Sequence, residues 1–168
     1  RLVGSEMCIR DSYITTHRDS YDIVVTTQDW HIDPGDHFSG NPDFVDSWPP
    51  HGVAGTDEAE IHPAIAEIPV DAHVKKGQYA AAYSGFGGTI KGGSSLETIL
   101  RDHRIEAVDV VGLALSHCVK DTALDAQHLG FTTTCLTDLS EPVSLESGEA
   151  AVAAMEDAGV TVTTSSQL

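Results

Sequence analysis

The chain has 168 residues, and its 26 Asp and Glu against 9 Lys and Arg give a formal net charge of −17 at pH 7. That length suits one domain around a single core, and the charge repels phosphate backbones and anionic lipid surfaces, which excludes nucleic-acid or membrane binding as the main role. A hydrophobic share of 40% is that of a folded protein, so the acidity favours solubility without implying disorder. No apolar run approaches the roughly 18 residues of a membrane span. With no apolar h-region of a secretory signal either, the cytosol is the expected compartment, and the three cysteines (Cys8, Cys118, Cys135) are too few and too scattered for a disulfide framework.

In chain order, residues 1–12 (RLVGSEMCIRDS) follow no period and are expected to be a non-native leader, with the domain proper covering residues 13–168. Tyr13 to Ser20 reads as the polar end of a helix or a loop, and Tyr21 to Thr27 as a buried strand ending near Gln28. From Trp30 to about His62 the chain is rich in Pro, Gly, Asp and His without apolar periodicity. A loop that long in a compact domain is functional or disordered, and its aromatic residues favour function. Ile65 to Val74 offers a short helix or strand, and the glycines of residues 75–94 make a loop. Ser94 and Glu97 fit a capping box opening a helix that runs to about His103.

The second half alternates strand and helix. Ala107 to Leu115 reads as a buried parallel strand, Val119 to Leu129 as a helix stopped by Gly130, and Phe131 to Thr137 as a strand. Ser147 to Ala158 reads as a helix stopped by Gly159, and Val160 to Thr164 as a last strand. This order predicts an α/β domain with a mostly parallel sheet and helices on both faces, its site at the carboxyl ends of the strands.

Asp29 and His31 follow a strand at i and i+2, where extended backbone points both side chains to one side. His37 and His51 lie further along the same loop, and one carboxylate with three imidazoles suits a divalent Fe, Mn or Zn ion. His62 is a further candidate donor. Cys118 stands where the strand Ala107 to Leu115 gives way to a helix, a position that lowers a thiol pKa through the helix dipole. Placement alone fits either a nucleophile or a buried structural thiol, whereas Cys135, inside a strand, reads as structural. The glycines after Lys76 do not spell a phosphate loop.

The segment DWHIDPGDHFSGNPDFVDSWPPH, Asp29 to His51, resembles the metal loop of nicotinamidases, members of the isochorismatase-like cysteine hydrolases with a three-layer α/β fold. The resemblance implies metal ligation by Asp29, His31, His37 and His51. Other branches of the superfamily generally lack this loop. Gly52 stands where the resemblance calls for Cys. VDVVGLALSHCVKDTALDAQHLG, Val108 to Gly130, is similar to the family's nucleophile segment. It implies Cys118 as nucleophile, a cis peptide between Leu113 and Ala114, and an oxyanion hole from the amides of Ala114 and Cys118. Ser116 stands where the family commonly carries Asp. KGQYAAAYSGF, Lys76 to Phe86, looks like the catalytic-lysine loop, with Lys76 stabilising the thiolate. Trp48, Tyr83, Leu113 and His117 would line the ring of the substrate.

The implied reaction is hydrolysis of nicotinamide to nicotinate and ammonia, with pyrazinamide as a second substrate and a homo-oligomer as a compatible state. The family's proton-relaying Asp sits in a D-x-Q-x-D-F-type motif that ends a first strand, and no such segment occurs in the 168 residues. The expectation is an N-terminally truncated domain of impaired activity and poor stability. Two other classes compete: a hydrolase in which a metal-bound water attacks and Cys118 is incidental, and a non-catalytic protein that binds metal and nicotinamide.

Overall fold

A computed structural model describes residues 5–168, with side chains from residue 9 onward. The part of the expected leader before residue 5, and the side chain of Cys8, lie outside the described residues. The chain forms two compact units: Ile23–Ile99, and the remainder, through Asp22 and Leu100–Leu168.

In the second of these, α1 (Ser5–His17) runs through the boundary expected at residue 12, and Arg10 on it is buried. The sheet is parallel, in the order β3-β4-β5, from Ala107–Leu113, Thr132–Glu141 and Thr161–Thr163. A π-helical turn, Leu115–Val119, leads into α4 (Lys120–His128), and α5 (Leu145–Asp157) joins β4 to β5. Leu115, Val119, Ala123, Cys135, Met155 and Val160 form the core of this unit. Complete burial of a side chain such as Met155 contributes about 1.5–3 kcal/mol.

Gly130 ends α4 as the sequence indicates. At φ 90 it occupies the left-handed region, its N–H reaches the Gln127 carbonyl and the Phe131 N–H reaches Ala126, so the last carbonyls of the helix are satisfied as the chain turns. Phe131, now 1% exposed, is carried straight into the core. The same pair of bonds closes α5 at Gly159.

Several boundaries differ from the sequence reading, and β3 stops at Leu113, short of the expected Leu115. β4 continues past Thr137 to Glu141 because the Asp138 carboxylate, which looks like a strand breaker, accepts from the backbone and hydroxyl of Ser165. α5 begins at Leu145 because Ser144 and Ser147 cap it reciprocally, each hydroxyl accepting from the other's N–H. Tyr21, expected in a strand, instead donates its hydroxyl to Asp109 of β3 at 2.6 Å.

The Ile23–Ile99 unit holds a further parallel pair, β1 (Val25–Asp29) with β2 (Ala72–Lys76), in keeping with the parallel α/β fold expected. β1 starts four residues later than Tyr21 and runs to Asp29. β2 absorbs Lys76, which the sequence reading placed in a loop. A short helix α2 (Pro63–Ala66) precedes β2, and α3 (Leu96–Asp102) begins in this unit and runs past its last residue, Ile99. The cap of α3 is Ser95, whose hydroxyl accepts from Thr98 N–H at 3.2 Å, and not the expected Ser94 with Glu97. Among the described residues no helix is long and apolar enough to cross a membrane.

Candidate metal and nucleophile sites

Parallel register sets the first feature of the site. Asp29 and Lys76 are paired across β1 and β2 as the last residue of each strand. Their side chains meet as cross-strand neighbours at the carboxyl edge, where open parallel sheets place their ligands. Lys76 Nζ donates to Asp29 Oδ1 and to the Ala82 carbonyl. The ammonium is 3% exposed and the carboxylate 30%, so Asp29 supplies the counter-charge that a buried cation requires.

Past Asp29, the loop doubles back and brings three imidazoles together. The His31 N–H donates to Gly52 O and the Ala54 N–H to His31 O, which draws His51 alongside. Trp48 N–H donates to His37 O and holds the middle of the loop against its start. His31, His37 and His51 each offer a nitrogen within 4.8 Å of the other two. Asp29 stands beside them, its Oδ1 3.9 Å from His31 Nε2, with the same oxygen accepting the hydrogen bond from Lys76 Nζ. His62 does not join the group; its Nδ1 accepts from Ala64 N–H and caps α2.

All three rings are held in one tautomer. His31 Nδ1 lies 2.6 Å from the Gly77 carbonyl, His37 Nδ1 2.8 Å from that of Asp46, and His51 Nδ1 2.8 Å from that of Pro49. A carbonyl only accepts, so each Nδ1 carries the hydrogen and each Nε2 of a neutral ring is left with its lone pair. This is the arrangement by which outer carbonyls orient imidazole ligands. His31 Nε2 is buried with no hydrogen-bond partner, a condition that costs about 1–3 kcal/mol unless an electron-pair acceptor occupies the site. Burial also pushes the His31 imidazole below its ordinary pKa, against the pull of the Gly77 carbonyl, which favours the neutral, ligating form. The donor set fits a divalent transition metal.

Two glycines fit tightly against this group. A Cβ on Gly77, at φ 69, would lie 2.5 Å from His31 Cε1. A Cβ on Gly52, where the resemblance calls for Cys, would lie 2.7 Å from Asp29 Cβ. Trp48 Nε1–H donates to the Tyr83 hydroxyl at 2.8 Å, and that hydroxyl donates to the Val45 carbonyl. Tyr83 packs edge-on to His37 at 5.8 Å between ring centroids. Trp48 and Tyr83, expected as ring-lining residues, are therefore joined side by side next to the imidazoles.

The other expected residues lie in the unit built on β3, β4 and β5. The Leu113–Ala114 peptide is cis, Leu113 is exposed, and Ala114 precedes the π-helical turn that carries Ser116, His117 and Cys118. Ala114 O accepts from both His117 N–H and Val119 N–H at 3.1 Å, which folds the turn so that Cys118 stands partly exposed ahead of α4. Ser116, at the position where Asp is usual, is buried; its Oγ accepts from Val143 N–H at 3.1 Å and lies 2.9 Å from His117 Nδ1. His117 is pushed below its ordinary pKa first by burial and then by Lys120. Cys135 is fully buried, and burial raises its thiol to about 12, in keeping with a structural role.

The Isochorismatase domain profile matches residues 12–167. The chain belongs to this family. It is 47% identical to the nicotinamidase/pyrazinamidase of Mycobacterium tuberculosis over 146 residues, 87% of the chain and 78% of that relative. The pyrazinamidase of Pyrococcus horikoshii, solved in complex with zinc, superposes with a TM-score of 0.77 at 31% identity, over 95% of this chain and 84% of that one. PnC1 from L. infantum, solved in complex with nicotinate, gives a TM-score of 0.77 at 30% identity, over 96% of this chain and 82% of that one.

Sequence reasoning missed the carbonyl partners of the three rings, and it missed the part Asp43 plays inside the loop, where its Oδ1 accepts from three backbone amides. The D-x-x-x-S spacing of Asp43 and Ser47 was an available turn signal for the second.

Proposed function

We propose that this protein hydrolyses nicotinamide to nicotinate and ammonia through a thioester on Cys118. The observation that carries the reading is the group of three imidazoles with Nδ1 hydrogens tied to carbonyls and Nε2 atoms free to ligate, in a chain of this family. The ligands are His31, His37 and His51, with Asp29 beside them, and the group they hold is a divalent ion such as Fe, Mn or Zn. When bound, that ion supplies an electron-pair acceptor suited to the pyridine nitrogen of the ring.

The chemistry falls to the protein's own residues. The Cys118 thiolate attacks the amide carbon, and the backbone amides of Ala114 and Cys118 hold the oxyanion that develops there. The carbon–nitrogen bond then breaks as the amide nitrogen takes up the proton that the Cys118 thiol gave up, ammonia leaves, and water cleaves the thioester to release nicotinate and restore the thiol. Lys76, buried and paired with Asp29, stabilises negative charge on the reacting groups. Trp48, Tyr83, Leu113 and His117 contact the ring.

Nicotinate formation that disappears in Cys118→Ala while Zn²⁺ binding persists supports the proposal. A metal-dependent rate unchanged by Cys118→Ala would establish the competing metal-water mechanism. Nicotinaldehyde gives a second readout, since its carbonyl adds a thiolate without expelling a leaving group, and it is expected to protect Cys118 from alkylation.

A further inference from the structure

The stretch between the bridge partners Phe38 and Trp48 is a loop gathered on one oxygen. Asp43 Oδ1 accepts from Val45 N–H at 2.9 Å, Asp46 N–H at 3.0 Å, Ser47 N–H at 2.9 Å and the Ser47 hydroxyl at 2.9 Å. The Asp43 N–H in turn donates to Ser47 Oγ at 3.0 Å. These donors, the Val45 amide foremost, hold the Asp43 carboxyl below the usual carboxylate range. Phe44 is held at φ 60 inside the turn, a conformation that side chains disfavour by about 1–2 kcal/mol, so the turn depends on its bonds to Asp43.

What this turn fixes lies elsewhere. Asp46 presents the carbonyl that receives His37 Nδ1–H. Val45 presents the carbonyl that receives the Tyr83 hydroxyl, and Tyr83 in turn receives Trp48 Nε1–H. One exposed carboxylate therefore governs the orientation of a metal ligand and of two aromatic side chains, through the backbone of residues 45–47. We infer that Asp43 is a positioning residue for the metal and ring cradle, acting through the Asp46 and Val45 carbonyls. The inference rests on the metal reading proposed above.

The test compares the wild-type chain with Asp43→Ala, Asp43→Asn and Ser47→Ala, each in a Trp30→Phe background that leaves Trp48 as the reporter. Zn²⁺ affinity is measured by competition with a chromophoric chelator, and acrylamide quenching follows Trp48. Asp43→Ala is expected to weaken Zn²⁺ binding at least tenfold and to raise the quenching constant about twofold. Asp43→Asn is expected to stay within threefold of wild type, because all four bonds end on one oxygen that asparagine retains. Ser47→Ala, which removes one donor and one acceptor, is expected to fall between.

Unchanged Zn²⁺ affinity and quenching in Asp43→Ala would overturn the inference, even with a lowered melting temperature, since that is what a merely structural role produces. Asp43→Asn as impaired as Asp43→Ala would overturn it too. Should Asp43→Ala fail to fold, Ser47→Ala decides: altered affinity and quenching support the inference, and wild-type values refute it. A wild-type chain that binds no Zn²⁺ refutes the metal reading, and the quenching comparison then decides the role of Asp43.

Discussion

Gly77→Ala probes the cradle from the opposite side. The Gly77 carbonyl receives His31 Nδ1–H at 2.6 Å, while the space its missing side chain leaves is filled by the same ring. A Cβ there would lie 2.5 Å from His31 Cε1 and 2.8 Å from Nδ1. Restoring an ordinary contact of about 3.4 Å requires the ring to recede by about 0.9 Å, whereas metal–ligand distances tolerate roughly 0.2 Å. His31 is 1% exposed, so the ring has no solvent to swing into. Zn²⁺ affinity is expected to fall by about 10- to 100-fold.

Backbone conformation contributes separately, since alanine at φ 69 costs about 1–2 kcal/mol of stability. Gly55→Ala isolates that part, because Gly55 sits at φ 78 and a Cβ there would meet nothing within 4 Å. Both variants are expected to melt at lower temperature, with only Gly77→Ala losing metal in a chelator competition. Retention of Zn²⁺ within threefold by Gly77→Ala, or equal losses in the two variants, would refute the steric argument.

Zinc at about 100 times its dissociation constant is expected to stabilise the chain by about 2.7 kcal/mol. For a protein of this length that is a rise of roughly 5–10 °C in melting temperature, to be read by calorimetry with and without chelator. Iodoacetamide at pH 8 is expected to label Cys118 rapidly and to spare Cys135 until the protein unfolds. The Cys135 thiol, raised to about 12 by burial, leaves a thiolate fraction of roughly 10⁻⁴; equal labelling of the two in the native state would refute this. His117 is expected to titrate below 6.5, and Lys120→Ala to raise its midpoint, as followed by NMR of the ring protons. Because the folded state resists protonation at His117, its contribution to stability is complete above 6.5 and is lost as pH falls below that value towards the folded-state pKa.

The elements with local signatures could be read from the sequence. Gly130 and Gly159 stop their helices where expected, and the β-branched runs around Val110 and Val25 form strands. The loop from Asp29 to His51 contains all three imidazoles that the fold gathers. Misreadings arose where a polar residue finds its partner far away. Asp138 looks like the end of a strand until Ser165 satisfies it, and Tyr21 looks like a strand residue until its hydroxyl reaches Asp109.

The alternation of strand and helix, the content of the histidine loop and the placing of Cys118 at a strand-to-helix turn are all written in the order of residues. Periodicity, turn residues and helix stops act over a few neighbouring positions, so they are legible without a fold. Three-dimensional packing was needed to show that Lys76 ends a strand opposite Asp29, and which carbonyl each imidazole meets. His31 finds Gly77, 46 positions away, while His37 finds Asp46, 9 positions away. Such pairings depend on strand register and loop closure, which local preferences leave open until distant segments pack together.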